Sequence, residues 1–60
     1  MTKIREQREF FKLSQSYVAL YCGVSLGAYQ QWERGLNKPT PPRRLKLIEL
    51  LELPEDYFKD

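Results

Sequence analysis

Sixty residues make one small domain, near the lower limit for a chain that folds alone, and an apolar fraction of 42% is too high for a disordered tail. A single cysteine, Cys22, rules out an internal disulfide, and with no histidine the usual zinc ligand sets cannot be assembled. The net charge of +2 hides a division: residues 1–46 hold nine basic and three acidic side chains, whereas residues 47–60 hold one basic and five acidic. A basic body suits a polyanion, and solvated charge is the plainer alternative.

The chain opens on Met1-Thr2-Lys3-Ile4-Arg5-Glu6, which is charged and lacks the apolar stretch of a signal peptide. No apolar run approaches the roughly 20 residues that span a bilayer, so a cytoplasmic location is expected. A first helix fits residues 3–12, with Ile4, Arg8 and Phe11 at helical spacing. Ser14 is a good N-cap for a second, short helix from Gln15 to about Tyr21, whose Val18, Ala19 and Cys22 share one face. Gly23 supplies the turn, and Ser25 is a second N-cap. A third helix follows from Leu26 to about Arg34 and ends at Gly35. Ala28, Tyr29 and Trp32 lie on one of its sides; Leu26, Gly27, Gln30, Gln31 and Arg34 lie on the other.

Residues 35–42 form a loop by composition. Thr40 is the expected cap of a fourth helix over about 42–52, with proline in its first turn and Leu47, Ile48 and Leu51 as its core stripe. Pro54 begins a last turn or short helix through Phe58. The expected fold is therefore all-α: one compact domain over residues 1–60, a four- to five-helix bundle. Two short helices joined by a turn of about three residues make the helix-turn-helix pattern. In it Ala19 sits at the close crossing, Gly23 turns the chain and Trp32 anchors the third helix.

At this point the sequence resembles the Xre/Cro-type helix-turn-helix family, which includes phage repressors. The resemblance covers residues 4–58. It is carried by Leu13-Ser14-Gln15, Gly23-Val24-Ser25 and Trp32-Glu33-Arg34-Gly35, with Lys38-Pro39 after them. Lys12 departs from it, standing where glycine often ends the first helix, and Leu26 and Gly27 occupy positions that are usually polar. The resemblance implies sequence-specific binding of double-stranded DNA by a repressor or regulator with no catalytic activity and no cofactor. It implies that Gln15, Arg34, Asn37, Lys38 and Arg43 hold phosphates, and that Arg8 of the first helix pairs with Glu33. It further implies a weak homodimer, meeting around Leu53 and Tyr57, on a palindromic operator.

The residues themselves fit this chemistry. Glutamine pairs bidentately with adenine in the major groove, which makes Gln30 and Gln31 candidates for base contact; Leu26 can meet a thymine methyl group, and Gly27 permits close approach. From Arg34 to Lys46 the chain holds five basic and no acidic residues, directly after the expected reading helix. Other readings stand beside this one: solvated surface glutamines, an antitoxin-type regulator, or a helical protein-interaction module without DNA function. Glu49, Glu52, Glu55 and Asp56 read as a solvated acidic surface rather than a metal or acid–base cluster. No histidine, activated nucleophile pair or phosphate-binding glycine loop suggests an enzyme.

Overall fold

The computed structural model describes residues 3–58. The opening Met1-Thr2 and the last two charges of the acidic tail, Lys59 and Asp60, lie outside the described residues. Four helices follow one another: α1 (Lys3–Phe10), α2 (Gln15–Cys22), α3 (Leu26–Arg34) and α4 (Pro41–Leu51), with no strand among the described residues.

Local chemistry sets most of the boundaries. Ser14 Oγ accepts from the Tyr17 N–H at 3.0 Å, and Ser25 Oγ accepts from the Ala28 N–H at 3.2 Å, so each hydroxyl satisfies an amide of the first turn. All four helices close with the same C-terminal device. A residue in the left-handed region follows the helix, and the next amide reaches back five residues: Leu13 N–H to Arg8 O, Val24 to Ala19, Leu36 to Gln31 and Leu53 to Ile48. Glycine occupies the left-handed position twice, at Gly23 (φ 75°) and Gly35 (φ 74°). Lys12 (φ 58°) and Glu52 (φ 52°) occupy it without the freedom that glycine brings.

Two sequence expectations need correction. The first helix stops at Phe10 rather than residue 12, because the chain turns left-handed at Lys12. Thr40 stands at the N-cap of α4, but its hydroxyl caps no amide. Pro42, two residues on, has no N–H to offer, and the hydroxyl instead accepts from Arg43 Nη1 at 3.2 Å. Of the two readings of the segment after Pro54, turn or short helix, the structure has the turn, with a backbone bond from the Tyr57 N–H to Pro54 O at 3.0 Å.

The core collects one apolar face from each helix. Ile4, Val18, Ala19, Cys22, Tyr29, Trp32, Leu47 and Leu51 are buried, and Leu53 joins them from beyond α4. Burial pushes the Cys22 thiol pKa up, which keeps the side chain a neutral, small hydrophobe. Gln7 Nε2 donates to Leu51 O at 2.9 Å and ties α1 to the end of α4. No helix among the described residues is long and apolar enough to cross a membrane.

Candidate nucleic-acid interface

α3 is the element with two opposed chemistries. Tyr29 and Trp32 are buried, their rings edge to face at 5.9 Å, and they hold the helix against the bundle. Leu26, Gly27, Gln30, Gln31 and Arg34 all lie on the exposed side. A Cβ added at Gly27 would meet nothing within 4 Å, so this stretch of helix surface is open. α2 packs against α3 across the turn at Gly23, and the crossing is close because Ala19 is small and buried.

Beneath the outer face of α3 runs a chain of polar contacts centred on Glu33, which is 8% exposed. Its Oε2 accepts from Arg8 Nε at 2.5 Å and from the Tyr29 hydroxyl at 2.5 Å; its Oε1 accepts from Gln15 Nε2 at 3.0 Å. Arg8 Nη1 also donates to Leu13 O at 2.8 Å, which fixes the guanidinium to the connection between α1 and α2. Burial alone would push the Glu33 carboxyl up. The bonds from Arg8, Tyr29 and Gln15, with the guanidinium charge, outweigh it and hold the group below the usual carboxylate range. The Tyr29 phenol is pushed far up by burial and then by its bond to the carboxylate, so it stays a neutral donor. Arg8 is raised by the same hydrogen bond with Glu33.

The chain of contacts continues to the surface, where Gln30 Nε2 donates to Gln15 Oε1 at 3.1 Å. Here α1, the start of α2 and α3 enclose a cleft of about 490 Å³ lined by Arg5, Arg8, Gln15, Gln30, Glu33 and Arg34. Three arginines on its walls give a polar cleft suited to an anion, although Arg8 is already committed to Glu33.

The family model described as helix-turn-helix matches residues 4–58 of the chain. The chain belongs to the helix-turn-helix family. It is similar to a transcriptional regulator, uncharacterised, from the ATPase CF(0) region of Rhodospirillum rubrum. The two are 34% identical over 56 residues, covering 93% of this chain and 52% of that protein, so the chain spans about half the length of its relative. No solved structure matches it.

Around the helix-turn-helix unit, the residues singled out from the sequence fall into separate places. Gln15, Gln30 and Arg34 meet in the cleft. Gln31 is bound instead by the following loop, where Asn37 Nδ2 donates to its Oε1 at 2.9 Å. Lys38 is exposed and lines a second hollow of about 340 Å³ with Asn37, Trp32 and Tyr57. Arg43 sits half-buried in the first turn of α4. Arg44 is turned to the scaffold, donating from Nε to Pro39 O at 2.8 Å and lying over the Phe58 ring. Tyr21 lies beneath Lys46 Nζ, 5.6 Å from the ring centroid. Leu53 is 5% exposed and belongs to the core, so in the monomer its side chain is not a surface group; Tyr57 is half-buried against Phe58.

Sequence reasoning passed over Arg5. It lines the same cleft as Gln15 and Gln30 and pairs with Glu9 at 3.3 Å along α1. The available signal was its place three residues before Arg8 on one helical face.

Proposed function

We propose that the chain is a DNA-binding domain of a transcription regulator, which reads the major groove of double-stranded DNA with the exposed face of α3. The observation that carries this reading is the position of that face. A helix held from behind by Tyr29, Trp32 and Glu33 presents Leu26, Gly27, Gln30 and Gln31 outward, beside a cleft walled by arginines. An exposed helix face that carries paired donors and acceptors is what base-edge readout needs. A basic flank supplies the affinity that does not depend on sequence.

On this reading Arg34, Asn37, Lys38 and Arg43 hold phosphates, Gln15 joins them through the second hydrogen of its Nε2, and Arg5 adds a contact from α1. The regulator acts in the cytoplasm as a repressor, by occupying its operator, and performs no catalysis. Two copies bind a palindromic operator with half-sites about 34–36 Å apart, one turn of DNA. They meet through Tyr57 on the turn after α4, with Leu53 fastening that turn to the core from within.

Selection of bound sequences from a random duplex pool tests the reading. The expected result is an enriched motif with two-fold symmetry and sedimentation of two protein copies per duplex. Enrichment of single half-sites with one copy bound would remove the dimer and leave the DNA reading standing. No enrichment, with no retarded duplex at low salt, would remove both and favour a protein-interaction module.

A further inference from the structure

Glutamine is ordinarily an ambivalent reader, because its amide offers a donor and an acceptor that exchange places by a half-turn of the terminal torsion. The contacts behind α3 remove that freedom at one position. The ionised carboxylate of Glu33 can only accept hydrogen bonds. Its Oε2 is occupied by Arg8 and Tyr29, and its Oε1 faces Gln15 Nε2 at 3.0 Å. The reverse orientation of the Gln15 amide would set a carbonyl oxygen against a carboxylate oxygen, so Gln15 turns its NH₂ inward and its Oε1 outward. That oxygen meets Gln30 Nε2 at 3.1 Å. The same argument then orients Gln30: the reverse amide would oppose two carbonyl oxygens, so Oε1 is the atom of Gln30 directed away from the relay.

We infer that Glu33, acting through Gln15, sets the polarity of Gln30 so that it reads an exocyclic amino group in the major groove. Glu33 and Gln15 are thereby positioning residues for base selection. The inference rests on the DNA-binding reading above and deepens it. An outward carbonyl oxygen accepts from adenine N6 or cytosine N4 and is repelled by guanine O6 and thymine O4, which are acceptors themselves. The second hydrogen on Gln30 Nε2 is then a donor for adenine N7, which favours adenine over cytosine. Gln31 has no equivalent constraint. Its partner Asn37 is itself an amide, with no acceptor-only group fixing which way it faces.

The test starts from the selected duplex, with Gln30→Ala used to identify the base pair that Gln30 faces. All four bases are then placed there and affinities measured for the unaltered chain, Gln15→Leu and Gln30→Glu. The unaltered chain is expected to prefer adenine over guanine or thymine by about fivefold or more, the lower end of the discrimination a base contact provides. Gln15→Leu frees the Gln30 amide and should cut that preference to about twofold or less, leaving selectivity at other positions unchanged. A general loss of structure would lower all positions together. Gln30→Glu, an acceptor in every orientation, should keep adenine and cytosine above guanine and thymine, shift the balance between the first two toward cytosine because the donor to adenine N7 is lost, and weaken overall affinity through its charge. A guanine or thymine preference in the unaltered chain would overturn the inference alone, as would a preference that survives Gln15→Leu. Absence of any selected duplex would overturn it together with the DNA-binding reading.

Discussion

Arg8 Nε in α1 and Glu33 Oε2 in α3 lie 2.5 Å apart across 25 residues of sequence, with both side chains largely buried at 12% and 6% exposure. The pair clamps the helix that presents the outer face to the helix that opens the chain. A buried ion pair is weak evidence of net stabilisation, because desolvation offsets much of the attraction; breaking it is another matter. Glu33→Gln leaves the Arg8 charge buried without its partner, and a loss of about 3–5 kcal/mol is expected, a large share of the stability of a domain this size. Thermal or urea unfolding measures it. An unchanged midpoint would show that the guanidinium finds water or Glu9 instead, 3.9 Å from Nη2.

The same network sets the pH limits of stability. Glu33 is depressed in the folded chain, so its contribution is complete above the unfolded carboxylate value of about 4.3 and is lost as pH falls through the lower folded value. Tyr29 is raised, so its contribution is complete below about 10, the unfolded phenol value, and is lost as pH rises above it. Melting temperature should therefore be flat between these limits and fall on both sides. Tyr29→Phe should flatten the alkaline fall while costing about 1.5–3 kcal/mol near neutrality, through the lost bond to a charged acceptor. If the alkaline limb is the same in Tyr29→Phe, the Tyr29 phenol is not its origin.

Lys12 and Glu52 hold left-handed backbone that glycine adopts without penalty. Lys12→Gly is expected to stabilise by about 0.5–1 kcal/mol, since the unfolded chain takes back part of the relieved strain. The melting point should rise by a few degrees, at about 4–8 °C per kcal/mol for a chain of this length. Gly23→Ala is the converse. The added Cβ would meet nothing within 4 Å, yet φ of 75° alone should cost about 1 kcal/mol. A drop in stability for Lys12→Gly would mean that the lysine side chain itself contributes.

Base reading and phosphate holding separate in a salt titration. Gln31→Ala should relax preference at one base pair per half-site and leave the slope of log affinity against log salt nearly unchanged. Lys38→Ala should weaken all duplexes alike and reduce that slope by about one. Wild-type selectivity in Gln31→Ala would move sequence reading to other positions or to DNA shape.

The sequence by itself determined the helices and most of their ends. Caps at Ser14 and Ser25 and turns at Gly23 and Gly35 depend on groups within a few residues of one another, so their chemistry is written locally. Helical periodicity likewise separated Tyr29 and Trp32 from Gln30 and Gln31, because 3.6 residues per turn assigns faces without knowing what they meet. What lay across the chain was not legible in this way. Thr40 looked like a cap until Arg43 occupied its hydroxyl, and Leu53, read as a surface contact, is drawn inward by the left-handed turn at Glu52. Lysine as a residue type carries no sign of positive φ, so at Lys12 only the position, where related chains often have glycine, hinted at it; the Leu13 that follows packs against the core. The relay from Glu33 through Gln15 to Gln30 spans 18 and then 15 residues, and Lys46 finds the Tyr21 ring on another helix. Local rules reach as far as the next helical turn, whereas the partner of a buried charge is chosen only when the helices close around it and water is no longer there to compete.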